Sequence, residues 1–165
     1  RYLVSWDLGE YARRSDPSRL ISAACLVCTG NRRMSDRLEA HLDVIGLNEY
    51  YGWYDPDYTK LSTILEQSAP EKPVIISEFG GIAYNNGEAG WGYGNKVNTE
   101  EEFLARFADV THAIQRLPSC CGYCSTQVTD VQQEINGLMA MQRTFKADPE
   151  KICQINNSQV SCLHR

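Results

Sequence analysis

The chain has 165 residues, 42% hydrophobic and 22% charged, which is the composition of one ordinary globular domain. No apolar run is long enough to span a membrane, and a formal net charge of −5 with scattered basic residues gives no footprint for nucleic acid. We therefore expect neither a membrane nor a nucleic-acid partner.

Helical and strand patterns alternate along the first part of the chain. The first helix should end before Asp16-Pro17, because proline disfavours helical geometry in the residue before it. Short apolar runs predict strands, and polar loops separate them from the helices. The elements predicted up to residue 67 are a helix over 2–14, a strand over 19–27, a short helix over 35–41, a strand over 42–48 and a helix over 58–67.

The segment from Lys72 to Gly81 predicts a third strand that ends in glycine. Its apolar run behind Pro73 is typical of a strand buried on both faces, as in a parallel sheet covered by helices. Glu78 stands where this strand is expected to end. In a (β/α) barrel the C-terminal strand ends carry the chemistry, so Glu78 is a candidate catalytic residue. The alternative is a strand-end carboxylate that points into water.

The last part of the chain continues the pattern after a loop over 83–97. Thr99 and Glu102 form a capping box that opens a helix, and Pro118 ends it. A fourth strand is predicted over 122–128, and Asp148-Pro149 should start a final helix. One face of the first of these two helices is predicted to be buried, with Phe103, Phe107, Val110, Ile114 and Leu117.

Strands and helices in alternation with short links imply parallel strands joined by right-handed crossovers. The fold class is therefore α/β. A closed (β/α)8 TIM barrel needs eight strands, and four are predicted here, so the chain corresponds to half of a barrel. Residues 1–155 make up this half, and the tail over 156–165 is left unassigned.

The seven cysteines are an odd number and cannot all pair within one chain, which favours reduced thiols. Cys25-x-x-Cys28 and Cys121-x-x-Cys124 have zinc-site spacing. Both pairs lie in predicted strands, however, where residues three apart point to opposite faces. We therefore expect no metal and no cofactor.

The chain begins at Arg1 without a leader sequence, and we expect it to be part of a longer protein. The sequence does not assign a cellular compartment, although the cytoplasm is favoured.

The residue types around Glu78 suit retaining glycoside hydrolysis. That reaction needs two carboxylates about 5–5.5 Å apart, one to attack the anomeric carbon and one to protonate the leaving oxygen. Glu78 is a candidate for the first, and hydroxyl donors from Tyr50 or Tyr51 would keep it ionised. Aromatic platforms and polar groups for a sugar are available at Trp53, Tyr54, Trp91, Tyr93 and Gln127, with core packing as the alternative for each ring.

Four motifs in order give the chain a resemblance to a known family. They are Asp16-Pro17-Ser18-Arg19, Asp43-Val44-Ile45-Gly46-Leu47-Asn48-Glu49-Tyr50-Tyr51-Gly52-Trp53-Tyr54, Lys72-Pro73 through Ser77-Glu78-Phe79-Gly80, and Gly122-Tyr123 through Thr129-Asp130. From about Tyr2 to Asn156 the chain resembles the C-terminal half of the catalytic barrel of family 2 glycoside hydrolases, which include β-galactosidases, β-glucuronidases and β-mannosidases.

The resemblance implies roles for individual residues. Glu78 matches the catalytic nucleophile, and Tyr50 or Tyr51 matches a tyrosine that contacts it. The expected substrate-binding residues are Asn48, Tyr50, Tyr51, Trp53, Trp91 and Gln127. No metal or cofactor is implied.

The chain also departs from the family pattern. The family's acid/base Glu follows an Asn at the end of a strand that would precede this chain, so we expect it to be missing and the chain alone to be inactive. Glu10 has no Asn before it and no strand leading into it, and we interpret it as a helix-surface carboxylate. The Asn-x-Lys motif of glucuronidases is absent from the sequence, which favours a neutral hexoside over a glucuronide.

Two functions therefore remain in competition. The first is part of a retaining β-glycosidase acting on a β-glycoside or oligosaccharide, with the missing N-terminal half of the barrel as its partner. The second is a non-catalytic half-barrel that serves as a sugar-binding or assembly module, since open sheet edges recruit partners and homo-oligomers are a possible outcome. A redox or zinc function through the cysteine pairs is the least favoured.

Overall fold

The fold is described from a computed structural model, which describes residues 2–26, 36–50, 57, 60, 72–85, 87, 90–118 and 120–158. The helices and strands are α1 (Tyr2–Ser15), β1 (Ser22–Leu26), α2 (Asp36–His41), β2 (Val44–Asn48), β3 (Val74–Gly80), α3 (Glu100–Gln115), β4 (Cys120–Thr126) and α4 (Pro149–Asn157). The helix predicted over 58–67 lies outside these residues apart from Lys60, which is helical. Within the described ranges, no helix combines the length and the apolar character needed to cross a bilayer.

The four strands form one parallel sheet in the order β1-β2-β3-β4. Consecutive strands are neighbours, and α3 crosses from β3 to β4 over one face of the sheet. This order is the one predicted for half of a (β/α) barrel. All four carboxyl ends therefore meet at the same edge of the sheet.

The prediction that β3 is buried on both faces was wrong. Val74 and Ile76 are fully buried in the core under the helices. Ile75 and Ser77, which face the other way, are only partly covered. Helices cover a single face of the sheet in the described part of the chain, and the second face corresponds to the interior of a barrel. The strand also continues to Gly80, two residues beyond Glu78.

Helix α3 confirms the predicted pattern. The five apolar side chains at spacings of four and three are all buried. The amide of Glu102 donates to the hydroxyl of Thr99 at 3.1 Å, so Thr99 is the N-cap. The carboxylate of Glu102 accepts from the amide of Asn98 at 2.8 Å, one residue before the Thr99 amide that a capping box uses. The amides of Asn98 and Glu102 at the start of the helix therefore both have side-chain acceptors.

Two elements, β4 and α4, differ in their boundaries from the prediction. Strand β4 begins and ends two residues early, so Gln127 follows the strand instead of lying within it. Helix α4 has Asp148 as its N-cap, as predicted, and its side chain accepts from the amide of Glu150 at 2.9 Å. The helix runs to Asn157, two residues into the segment predicted to be a tail.

Candidate active site

The site begins with an irregular pairing between β2 and β3. Leu47 pairs with Ile76, but Asn48 pairs with Glu78, so Ser77 is an extra residue on β3. Such a β-bulge re-aims the side chains next to it. As a result both Ser77 and Glu78 contact the Asn48 side chain.

Two donors converge on one oxygen of the Glu78 carboxylate. Asn48 Nδ2 donates to Glu78 Oε2 at 2.6 Å, and the Tyr50 hydroxyl donates to the same atom at 3.0 Å. The Ser77 hydroxyl donates to Asn48 Oδ1 at 2.8 Å, which fixes the orientation of the amide. These two hydrogen bonds fix the direction of the carboxylate and leave Oε1 outside both contacts.

Two glycines stand at the end of β3, separated from Glu78 by Phe79. Gly80 and Gly81 have φ angles of 93° and 64°, in the region that disfavours residues with a Cβ atom. Gly80 still pairs with Thr126 at the end of β4. The end of β3 is therefore bent while remaining attached to its neighbouring strand.

Glu49, between Asn48 and Tyr50, is a buried carboxylate that sequence reasoning did not single out. It is 1% exposed, and neither of its carboxylate oxygens has a hydrogen-bond partner in the part of the chain that the structure describes. Its amide donates to the carbonyl of Glu78 at 2.8 Å. Burial raises the pKa of Glu49 from 4.5 to about 7. The signal available was a charged residue directly after the strand predicted over 42–48.

We expect the native protein to lose stability as the pH rises to neutral, and we expect Glu49→Gln to prevent that loss. Between pH 4.5 and about 7 the folded chain keeps a proton on Glu49 that the unfolded chain has released. The free energy of unfolding therefore falls as pH rises through this window, by about 3 kcal/mol in total. Urea unfolding at pH 5 and pH 8 should show the variant equal to the native protein at the lower pH and more stable at the higher one.

The exposed Glu101→Gln is the matched control, and it should keep the native pH dependence. If Glu49→Gln loses stability between pH 5 and pH 8 as steeply as the native protein does, Glu49 is not the group that titrates.

The structure describes some of the other predicted site residues. Trp91 lies in the loop after β3 and is half exposed. Gln127 lies just after β4; its Nε2 atom is buried and has no hydrogen-bond partner among the described residues. Tyr93 packs edge-on against Trp91, with ring centroids 5.5 Å apart. Tyr51, Trp53 and Tyr54 lie outside the described residues.

Glu10 lies on α1, as predicted. Its carboxylate is 3.8 Å from Arg14 and 3.7 Å from the His41 ring. The three cysteines of β4 are also described: Cys120, Cys121 and Cys124 are free, the first partly buried and the other two exposed. Cys28 and the side chain of Cys25 lie outside the described residues. Within those ranges, no three His, Cys, Asp or Glu side chains are grouped so that they could hold a metal ion.

A sequence profile described as the TIM barrel domain of glycosyl hydrolases family 2 matches residues 5–156. The chain belongs to glycosyl hydrolase family 2. The four-stranded parallel sheet is accordingly part of a TIM barrel, with Glu78 at the edge where the carboxyl ends of its strands meet. A comparison with curated protein sequences found no match.

Several solved structures have a similar fold. A β-glucuronidase from Bacteroides uniformis is 21% identical with a TM-score of 0.69, over 87% of this chain and 18% of that one. A β-galacturonidase from Eisenbergiella tayi, bound to galacturonate, is 18% identical with a TM-score of 0.70, over 92% and 30%. A Bifidobacterium dentium β-glucuronidase complexed with coumarin-3-O-glucuronide is 23% identical with a TM-score of 0.64, over 88% and 25%.

The chain thus spans less than a third of the length of these solved proteins. At such low identity the likeness establishes the fold, and family 2 membership rests on the profile match.

Proposed function

We propose that this chain is the C-terminal half of the catalytic barrel of a retaining β-glycosidase, with Glu78 as the nucleophile. The observation that carries the proposal is the Glu78 carboxylate at the C-terminal edge of the sheet, held by Asn48 and Tyr50 at 2.6 and 3.0 Å. A nucleophile must be fixed in direction, and these two donors hold the carboxylate in place.

The reaction then proceeds in two steps at the anomeric carbon. Glu78 attacks through Oε1, the oxygen that neither donor contacts, and a glycosyl ester forms as the bond to the leaving oxygen breaks. A second carboxylic acid gives that oxygen its proton. In the second step the same group takes a proton from water, the water oxygen bonds to the anomeric carbon, and the Glu78 carboxylate is released.

The acid/base residue is proposed to lie outside this chain. Glu10 is a poor substitute, since it lies on α1 beside Arg14 and His41, away from the strand ends. Without general-acid catalysis the rate falls by about 10²–10⁴-fold. The chain alone should therefore be inactive, and its partner is the N-terminal half of the barrel.

Substrate contacts are proposed for Asn48, Tyr50, Tyr51, Trp53, Trp91 and Gln127. The unpartnered Nε2 of Gln127, within the described structure, is a donor available to a sugar hydroxyl. Trp91 offers a half-exposed ring for the C–H face of a pyranose. The substrate class is a β-glycoside or an oligosaccharide.

Covalent trapping tests the proposal. The protein encoded by the full coding sequence should react with 2-deoxy-2-fluoro β-glycosides that carry a good leaving group, and the label should be found on Glu78 by peptide mass spectrometry. A label on Glu49 or Glu10, or no label with any sugar of a panel of glucoside, galactoside, mannoside and glucuronide, would rule out Glu78 as the nucleophile.

An assembly module is the second candidate function. Helix α1 supports it, because Val4, Leu8 and Tyr11 are exposed, and Trp6 is also exposed in part although its ring stacks on the His41 ring at 4.0 Å. An exposed apolar stripe of this kind marks an interaction surface. Strict dependence of sugar binding on a second copy, with no covalent label at Glu78, would favour the module over the glycosidase.

A further inference from the structure

The loops after β3 and β4 are joined by main-chain hydrogen bonds around Trp91. The Trp91 amide donates to the Gln133 carbonyl at 2.7 Å, and the Ile135 amide donates to the Trp91 carbonyl at 2.9 Å. The Tyr84 amide donates to the Ile135 carbonyl at 3.2 Å. The backbone of Trp91 is therefore held on both sides by the neighbouring loop.

Close packing adds to these bonds. Trp91 lies between Gly90 and Gly92, and neither position has room for a Cβ atom. A Cβ at Gly90 would clash with Ile135, and one at Gly92 would clash with Ala83 and with Oδ1 of Asn136. The two glycines thus allow the loops to approach closely, and the backbone that carries the Trp91 ring is fixed.

Asn136 connects this contact to the aromatic pair. It is a polar residue with only 3% exposure, and both ends of its amide are used. Its Oδ1 accepts from the Tyr93 amide at 3.2 Å, and its Nδ2 donates to Glu134 Oε1 at 3.1 Å. The Tyr93 ring in turn packs edge-on against Trp91, at an interplanar angle of 89°. Asn136 therefore acts on the Trp91 ring through Tyr93.

The Trp91 ring stays 49% exposed despite being fixed in this way. A rigid aromatic surface open to solvent loses little conformational freedom when a ligand covers it. Both loops follow the carboxyl ends of their strands, where a barrel binds its ligand. Asn136 also lines a small cavity with Gly80, Gly81 and Ser125, at the end of the strand that carries Glu78.

We propose that Asn136 is a positioning residue that holds Trp91 as a stacking platform for a pyranose ring of the substrate. This inference rests on the proposed glycosidase function and deepens it. The ring meets the C–H face of the sugar, and Asn136 keeps the ring in place through the Tyr93 amide.

The test is a double-mutant cycle in the protein encoded by the full coding sequence. The variants are Trp91→Ala, Asn136→Ala and the two combined, measured with p-nitrophenyl β-glycosides of glucose, galactose, mannose and glucuronic acid. We expect each single variant to raise KM about tenfold with kcat nearly unchanged, because a platform binds ground state and transition state alike. The combined variant should be no worse than Trp91→Ala, because Asn136 acts only through that ring.

Asn95→Ala is the matched control, since Asn95 is exposed on the same loop and its carbonyl contact with Arg106 survives the substitution. Its KM should be native. An unchanged KM in Asn136→Ala, or additive effects in the combined variant, would overturn the positioning role. If Asn136→Ala lowers both kcat and the rate of covalent labelling at Glu78, the positioning role is also overturned, because the site as a whole has then changed.

A second readout is independent of hydrolysis. Methyl β-D-glucopyranoside and methyl β-D-galactopyranoside should quench tryptophan fluorescence in the native protein and in Asn95→Ala, and quench it less in Trp91→Ala and Asn136→Ala. If sugar binding follows this pattern but the protein has no activity, the stacking platform is supported and only the proposed glycosidase function is contradicted. If Trp91→Ala turns over substrate with an unaltered KM, only the stacking platform is contradicted.

Discussion

Replacing Glu78 with Gln is expected to abolish hydrolysis in the protein encoded by the full coding sequence. The amide keeps the size of the side chain but cannot attack the anomeric carbon, and removal of a covalent nucleophile costs about 10⁴- to 10⁶-fold in kcat. The hydrogen-bond partners Asn48 and Tyr50 remain, so the strand ends should keep their geometry. Steady-state kinetics on an aryl β-glycoside measures the effect, and circular dichroism checks the fold.

Chemical rescue separates loss of the nucleophile from damage to the site. With Glu78→Ala, azide should occupy the vacated space, restore turnover of a substrate with a good leaving group, and give the α-glycosyl azide. Glu10→Gln is the matched carboxylate control and should retain native kcat. Activity within tenfold of native in Glu78→Gln would contradict the assignment.

Breaking the buried ion pair between Asp130 and Lys146 should have the largest effect on stability. Lys146 Nζ lies 3.0 Å from both Asp130 carboxylate oxygens and 2.9 Å from the Ile135 carbonyl, and the two side chains are 0% and 4% exposed. Asp130 also accepts from the Gly137 amide at 2.7 Å. Removing one partner leaves a buried charge uncompensated, which costs about 3–5 kcal/mol.

Hydrogen exchange can locate this loss. In Asp130→Asn and Lys146→Met, amides of the loop over 127–147 should lose protection by about 200- to 5,000-fold, which is the opening equilibrium that corresponds to about 3–5 kcal/mol. The double variant should lose less than the sum, because no unpaired charge remains. Arg143→Met, an exposed cation in the same loop, is the control. Native protection in both single variants would show that the pair does not hold the loop.

The regular elements were largely predictable because their signals are local. The buried face of α3 follows from the spacing of Phe103 and Phe107 along one helix, and the start of α4 follows from Asp148 and Pro149. The burial of β3 was not predictable in the same way. Whether the face with Ile75 is covered depends on residues distant in sequence, which an apolar run does not specify.

The site was predictable in part. Glu78 and a tyrosine partner were expected at adjacent strand ends, yet sequence alone left Tyr50 and Tyr51 equivalent. The bulge at Ser77 changes the register by one residue and places Glu78 opposite Asn48, a shift that no pattern in the sequence specifies. Asn136 was missed because it lies in a loop without periodicity, where burial gives no pattern in the sequence.

The paired glycines after Glu78 restrict how this protein can change over time. Gly80 and Gly81 occupy left-handed backbone positions that other amino acids enter only with strain. An aromatic residue nearby, in contrast, can be replaced by another aromatic residue that offers a similar ring. A Glu followed two residues later by two glycines should therefore be a more durable signature for finding remote homologues than the tyrosines and tryptophans.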